Sequence, residues 1–371
     1  MNREADRERA ASSRGAAGFL SLPTSLLFVV ANTPGAYWRG ADHFSDALFN
    51  TLIALRWKRN TRSFARILGY MPNFAEPRSF SEKIQWRKLF DRNALFPLLS
   101  DKLAVRDFVR ARAPAVAFPE IYWSGADPDA IPFDDLQPPF VIKPNNRSGK
   151  IILVRNDREL DRTAAVREVR KWMRSRSHKS KYGEWAYGCT HSRIIVEEFL
   201  STEGEVTPEG GVAPPPSFKI FVFHGKAAYI YFSEGRRSNH GPLRGFYTRD
   251  WQLVPVDKWR KQGRVVLQGG IARPKRLTDL IAAAEAIAAG FDHLRVDLYL
   301  IGDRIYFGET TIYNYSGLAT WIPKNMTGGT ALSSSFDDAI GSSWALPQLS
   351  RRQQLKHGLL GAMSKVGRTG R

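Results

Sequence analysis

Residues 294–317 read LRVDLYLIGDRIYFGETTIYNYSG, and the rest of the chain is organised around them. Leu294, Val296, Leu298 and Leu300 alternate with Arg295, Asp297 and Tyr299 up to the Gly302-Asp303 step. In the run that follows, Ile305, Phe307 and Glu309 share one parity, and Tyr306 and Gly308 the other. Alternating runs on either side of a glycine-containing step predict a β-hairpin. Successive strand side chains point to opposite faces, so Arg295 and Asp297 share a face opposite the aliphatic residues. Whether Glu309 joins that face depends on the register across the turn, which the sequence leaves open. Two carboxylates and an arginine on one face suit a divalent metal bridging phosphate oxygens. The same residues suit a cross-strand salt bridge on a solvated face equally well.

The whole chain narrows the choice. Its 371 residues have room for two or three domains, and 43% hydrophobic with 25% charged residues is the balance of a folded globular protein. Cys189 is the only cysteine, which excludes an intrachain disulfide or a thiolate metal cluster and favours a reducing, cytoplasmic setting. A net charge of +19 points to an anionic partner: nucleic acid, a membrane surface, nucleotide phosphates or an acidic glycan. The charge is clustered. Arg56, Lys58, Arg59, Arg62 and Arg66 occur without an acidic neighbour, and residues 162–181 and 258–276 form two further basic runs. Near the N-terminus, residues 15–38 carry no charge and residues 19–31 are markedly apolar. That run is shorter than the ~20 residues that span a bilayer, and Glu4, Asp6 and Glu8 precede it. Peripheral contact with the inner face of a membrane fits it better than secretion.

In chain order, residues 1–75 read as a partly helical extension, in which Phe44, Leu48, Leu52 and Leu55 recur at helical spacing. Ser79 and Glu82 form a capping-box pattern that opens a helix. A second helix is expected near residues 101–111, with Lys102 and Arg106 four apart. Residues 139–155, PFVIKPNNRSGKIILVR, read as strand, turn and strand. Lys143 closes the first strand, and Asn145, Ser148 and Gly149 lie in a small-residue turn able to lay backbone N–H groups over phosphates. A basic helix spans about residues 161–175, and RIIVEEFL (193–200) is a strand ending in Glu197 and Glu198. A Gly/Pro-rich loop over residues 201–216 marks a boundary. A hairpin around His224-Gly225 carries Lys219, and an alanine-rich helix over 277–289 leads into residues 294–317. The divisions expected are 1–75, 76–138, 139–205, 206–330 and a basic tail over 331–371.

Taken together and in order, RSFSEKIQWRKLFDRNALFPLLSDKLAVRDFV, PFVIKPNNRSGKIILV, GEWAYG, RIIVEEFL, FKIFVFHGKAAYI, FYTRDW and LRVDLYLIGDRIYFGET resemble the TupA-like branch of the ATP-grasp superfamily. That branch is associated with teichuronopeptide and capsular polysaccharide synthesis. The resemblance covers about residues 77–317. It implies an α+β, ATP-grasp fold in which two α+β subdomains clamp ATP, here with a helical N-terminal extension. It also implies that Lys102, Arg106 and Lys143 hold the ATP phosphates under the loop Asn145, Ser148 and Gly149. Glu197, Glu198, Phe199 and Leu200 would form the hinge that receives adenine. Lys219 and Arg295 would act near the transferred phosphate, and Asp297, Glu309 and Thr311 would ligate Mg2+. Thr311 stands where related ligases often have asparagine. Asn146 and Arg147 replace the family's usual His and first Gly, and Ser217-Phe218-Lys219 replaces Asp-Tyr-Lys.

The function implied is that of a carboxylate–amine ligase: ATP phosphorylates a carboxylate, and an amine displaces phosphate to form an amide. By family association the substrates are an anionic glycan bearing uronic acid and an amino acid. Two alternatives stand beside this reading. One is a glycosyltransferase or sugar kinase of the same pathway, against which the motif order argues. The other is a basic nucleic-acid-binding protein, which carries no recognisable signature here.

Overall fold

The computed structural model describes residues 44–174, 183–202, 214–238, 241–260, 263–267, 269–323 and 335–360. The apolar segment 15–38 lies outside the described residues. The first helices are α1 (Phe44–Arg56), α2 (Lys58–Leu68) and α3 (Phe80–Phe90). The capping box at Ser79 is present: the Glu82 N–H donates to Ser79 Oγ at 3.1 Å, and the Ser79 N–H to Glu82 Oε2 at 3.1 Å. Glu82 Oε1 also accepts the Asn73 N–H at 3.0 Å, so one carboxylate organises the whole approach to α3.

Helix α3 is buried almost all round. Phe80 and Ile84 enter the largest core, whereas Trp86, Leu89 and Phe90 enter a second one shared with α1. Helix α1 inverts its expected polarity. Leu48, Leu52 and Leu55 are 48%, 40% and 36% exposed, and the helix buries Asn50, Ile53 and Ala54 instead. The reason is a turn that needs hydrogen-bond partners: Asn50 Oδ1 accepts the N–H groups of Phe74 and Ala75 at 2.8 and 2.9 Å.

After α4 (Phe96–Leu99) and α5 (Val105–Arg112) comes the first sheet: β1 (Ile121–Gly125), β2 (Phe140–Pro144), β3 (Ile152–Val154) and β4 (Ile194–Glu198). Its order is β1-β4-β2-β3, antiparallel throughout. Phe140, Ile142, Ile194 and Val196 pack under α6 (Arg162–Arg174) through Ala165, Val169 and Trp172. Strand alternation turns Val141, Lys143, Ile195 and Glu197 to the other face.

The second sheet has the order β11-β10-β5-β6-β7. It contains β5 (Ser217–Phe223), β6 (Lys226–Ser238) and β7 (Gly241–Thr248), and, later in the chain, β10 (His293–Ile301) and β11 (Arg304–Thr311). Helix α7 (Leu277–Ala288) covers its apolar face with Leu277, Leu280, Ala284 and Ile287. A third sheet of β8 (Val256–Arg260), β9 (Gly263–Val265) and β12 (Thr320–Pro323) has no counterpart in the sequence reading.

Residues 335–360, expected as part of a basic tail, form α8 (Ser335–Ser342) and α9 (Arg351–Leu360). They are tied back to α3 because Phe336, Ile340 and Trp344 are buried and Lys83 Nζ donates to the Gly341 and Trp344 carbonyls at 2.7 and 2.5 Å. Asp337 joins this contact by accepting from Ser81 Oγ at 3.1 Å. Burial pushes its carboxyl up to about 7, against an ordinary 3.8. The folded state therefore retains a proton that the unfolded chain has lost, and this group's stabilising contribution falls as pH rises from about 4 to about 7. Asp337→Asn should remove that slope. In urea unfolding, the variant's stability relative to the parent should rise by up to ~4 kcal/mol between pH 4 and pH 7.5.

Candidate active site

Along the hairpin, Ile301 pairs with Arg304, Leu300 with Ile305, Tyr299 with Tyr306 and Leu298 with Phe307. The register then shifts, and Asp297 faces Glu309. Gly308 is the extra residue of a β-bulge. Without it Asp297 would lie opposite Gly308, and Glu309 would turn with Val296 toward the core. Simple alternation, which groups Glu309 with Ile305 and Phe307, is thus broken at one residue. Glu309 and Thr311 join the Arg295–Asp297 face, while Thr310 turns inward and its hydroxyl donates to the Leu99 carbonyl at 2.6 Å. Packing calls for glycine here: a Cβ on residue 308 would lie 2.9 Å from Tyr299 Cε2 and 3.1 Å from the Asp297 carbonyl oxygen.

Strand β5 sets Lys219 directly opposite Asp297 on the other side of β10. Lys219 Nζ donates to Asp297 Oδ2 at 2.6 Å. Arg295 grips the same carboxylate with Nε on Oδ1 at 2.6 Å and Nη2 on Oδ2 at 2.8 Å. Glu309 takes Lys102 Nζ at 3.2 Å and Arg295 Nη2 at 3.5 Å. Burial disfavours the Glu309 carboxylate, yet Lys102, Arg295 and Lys219 together hold its pKa down to about 2. Burial is the largest influence on Lys219 and Arg295 and opposes their charge, but Asp297 and Glu309 with nearby tyrosines together outweigh it, so their pKa values lie above the ordinary range. Three cations and two carboxylates thus form one connected cluster.

A buried relay fixes Arg295. The ring of His293 donates from Nδ1 to the Val222 carbonyl at 2.9 Å, leaving Nε2 to accept from Asn314 Nδ2 at 2.7 Å. Asn314 Oδ1 then accepts from Arg295 Nη1 at 3.0 Å. Burial holds His293 neutral, with its pKa well below the usual histidine value. Beyond Asn314, Tyr315 and Ser316 adopt left-handed φ of 48° and 58°, unusual for side-chain-bearing residues. Helix α3 keeps them there. Gln85 Nε2 and Lys88 Nζ donate to the Ser316 carbonyl at 2.9 and 3.0 Å, and burial lowers the Lys88 ammonium to about 8.

The first sheet contributes a separate cationic group. On its inward face Lys143 pairs with Glu197, which Arg106 Nη2 approaches at 3.7 Å. Arg106 lies in α5, but Lys102 precedes that helix. Lys102 Nζ bridges Glu309 and the Arg147 carbonyl (2.9 Å), joining the hairpin cluster to the loop after β2. In that loop Asn145 is fully engaged with protein: Nδ2 donates to Asp101 Oδ2 and the His191 carbonyl, and Oδ1 accepts the Arg193 N–H. It anchors the loop, whereas Ser148 and Gly149 are exposed, with Gly149 at φ 69°. Glu198 Oε2 accepts the Glu120 N–H at 3.0 Å, Phe199 is buried and Leu200 is half-buried.

Sequence reasoning missed His293, Asn314 and Lys88. Period-2 spacing back from Asp297 through Arg295 reaches His293, so that signal was present. Nothing local marks Asn314 or Lys88.

Residues 82–329 match the family described as TupA-like ATPgrasp. The chain belongs to the TupA-like ATP-grasp family. The match runs from within α3 to beyond β12, so the sheets and the charged cluster all fall inside it. Solved structures are more distant. An L-amino acid ligase from Bacillus licheniformis is 16% identical over 65% of this chain and 50% of its own, with a TM-score of 0.37. A D-alanine–D-alanine ligase from Bacillus anthracis is 16% identical over 58% of this chain and 57% of its own, with a TM-score of 0.33. For the Helicobacter pylori D-alanine–D-alanine ligase the values are 10%, 74%, 68% and 0.35. The TupA-like chain thus spans little more than half the length of the first two. No curated protein sequence gives a significant match.

Gly308→Ala should press on Tyr299 and strain the bulge. The expected loss is ~1–3 kcal/mol of stability by urea unfolding, with the Glu309 carboxyl titrating above its present value of about 2 by 13C NMR.

Proposed function

We propose that this TupA-like ATP-grasp protein is an ATP-dependent carboxylate–amine ligase that works with Mg2+ in the cytoplasm. We further propose that it modifies a cell-surface or capsular polysaccharide, linking a uronic acid and an amino acid. The observation that carries the reading is the cluster of Lys102, Lys219 and Arg295 around Asp297 and Glu309 on one sheet face. Such a cluster suits a triphosphate that arrives with its metal. Lys102, Lys219 and Arg295 would pair with phosphate oxygens, and Asp297 and Glu309 would then be free to hold the metal as oxygen donors.

In this reading Lys102, Arg106 and Lys143 bind the phosphates, and Glu197 holds the last two in place until nucleotide arrives. Asn145 anchors the loop whose Ser148 and Gly149 close over the phosphates. Glu197, Glu198, Phe199 and Leu200 line the adenine side. Asp297 and Glu309, with the Thr311 hydroxyl, are the hard oxygen donors that fit Mg2+. When bound, the metal neutralises charge on the transferring phosphoryl group. Among the described residues no group of three or more His, Cys, Asp or Glu is placed to hold a metal ion, so Asp297 and Glu309 would need phosphate oxygens to complete its ligands.

The substrate carboxylate oxygen attacks the γ-phosphorus, and ADP leaves with the electrons of the broken P–O bond. Arg295, aimed by Asn314, and Lys219 stabilise the charge that develops on the phosphoryl oxygens. The amine nitrogen then attacks the acyl carbon, phosphate departs, and the nitrogen gives up its proton to solvent. Burial pushes the Tyr299 hydroxyl up to about 12, so it stays protonated at neutral pH. A net charge of +19 fits an acidic glycan substrate.

The test is ADP release by purified protein supplied with uronic or amino acids and amines, with product masses measured. Release that requires both an acid and an amine and yields an amide supports the proposal. Glu309→Gln should lower kcat by about 100-fold or more. A phosphorylated sugar as product, or no ATP turnover across the panel, would contradict it.

A further inference from the structure

The outer face of α1 and α2 takes no part in the chemistry above, and its pattern is unusual. Leu48, Leu52 and Leu55 are 48%, 40% and 36% exposed. Arg59, Arg62 and Arg66 are exposed as well. The six positions follow one another at spacings of 4, 3, 4, 3 and 4 residues, which is one face of a helix. The two helices meet at Trp57, whose ψ of 39° makes a bend. Helical hydrogen bonds flank the bend, from the Trp57 N–H to the Ile53 carbonyl at 2.9 Å and from the Thr61 N–H to the Trp57 carbonyl at 3.1 Å, so α2 follows directly on α1. The exposed positions are thus three leucines on α1 followed, past the bend, by three arginines on α2.

The inner face explains why the leucines stay outside. Helix α1 turns Asp46, Asn50 and Thr51 inward, each with a partner: Arg351 Nη2 at 2.5 Å, Asn73 Oδ1 at 3.0 Å and the Ala47 carbonyl at 2.7 Å, respectively. Exchanging the two faces would leave those polar groups unpaired or force the leucines into a polar contact. The exposed leucines are thus built into the fold, and they adjoin five basic residues with no acid over residues 56–66.

We propose that this stripe docks on an anionic phospholipid bilayer. The leucines enter the boundary between headgroups and acyl chains, and Arg59, Arg62 and Arg66 meet the lipid phosphates. Charge complementarity selects this occupant, because an apolar protein partner would leave the arginines unmatched. A second copy fits poorly. Three leucines, each less than half exposed, fall well short of the ~800 Å² per side that stable protein pairs bury. The ligase reading and this one are independent, since no residue of the stripe belongs to the charged cluster.

The experiment is flotation of the full-length protein with vesicles of phosphatidylcholine alone or with one-third phosphatidylglycerol. The parent should float with the anionic vesicles, and raising the salt concentration should release it. Leu48→Glu/Leu52→Glu should weaken binding at least ~tenfold, and Leu48→Gln/Leu52→Gln should weaken it without adding charge. Arg59→Gln/Arg62→Gln/Arg66→Gln should abolish the preference for anionic lipid. Because the leucines lie outside the buried cores, unfolding temperature should change little. Any of three results would overturn the proposal: no flotation by the parent, equal flotation with neutral vesicles, or leucine variants that bind as the parent does. A leucine variant that instead lowers the mass seen in sedimentation equilibrium would assign the face to a second copy.

Discussion

The carboxylate of Asp297 holds together strands that come from distant parts of the chain. Arg295 grips it from the same strand and Lys219 from β5, and through Arg295 the contact extends to Glu309 on β11. Asp297 is 2% exposed, so its charge is tolerable only because it is paired on both oxygens. Removing one partner from such a pair usually costs about 3–5 kcal/mol, because the remaining charge is left buried and uncompensated. That constraint accounts for the surroundings. Arg295 is fixed by Asn314 and neutral His293, and the Asp297–Glu309 juxtaposition rests on one extra residue, Gly308.

Helix α3 is the support behind the cluster. Arg87, fully buried, donates from Nη1 to the His293 carbonyl at 2.8 Å, pairs with Asp292 and lies over the Trp344 ring at 4.3 Å. Gln85 and Lys88, on the same helix, hold the strained Tyr315–Ser316 segment. Both ends of the functional hairpin therefore rest on one helix, which in turn is clamped by α8 through Lys83 and Ser81. A long-range scaffold of this kind keeps charged groups in fixed positions before any ligand arrives.

Much of this was legible in residue order, though not all. Hairpins, the capping box and the basic helix have local signals, and each appears where its pattern predicts. The facing of Glu309 does not follow from alternation, because a bulge is a packing decision between Gly308, Tyr299 and the Asp297 backbone. Helix α1 misled for a similar reason. Its spacing announces an apolar face, but a tertiary demand from the Phe74–Ala75 backbone turned Asn50 inward and the leucines out. The small β8-β9-β12 sheet and helices α8 and α9 have weak local patterns and owe their form to buried Trp321, Phe336 and Trp344. Asn145 reads in sequence as part of a loop that covers phosphates. Its side chain is committed to Asp101, His191 and Arg193, long-range partners that no local pattern announces.

The central claim is that Asp297 and Glu309 receive the metal that accompanies ATP. Calorimetric titration of ATP into the parent and into Asp297→Asn, each with Mg2+ and with a chelator, tests it most directly. The parent should bind ATP at least ~tenfold more tightly with Mg2+. The variant, whose Arg295 and Lys219 are freed for phosphate, should bind ATP with no gain from Mg2+. A variant that keeps the parent's full dependence on Mg2+ would contradict the assignment.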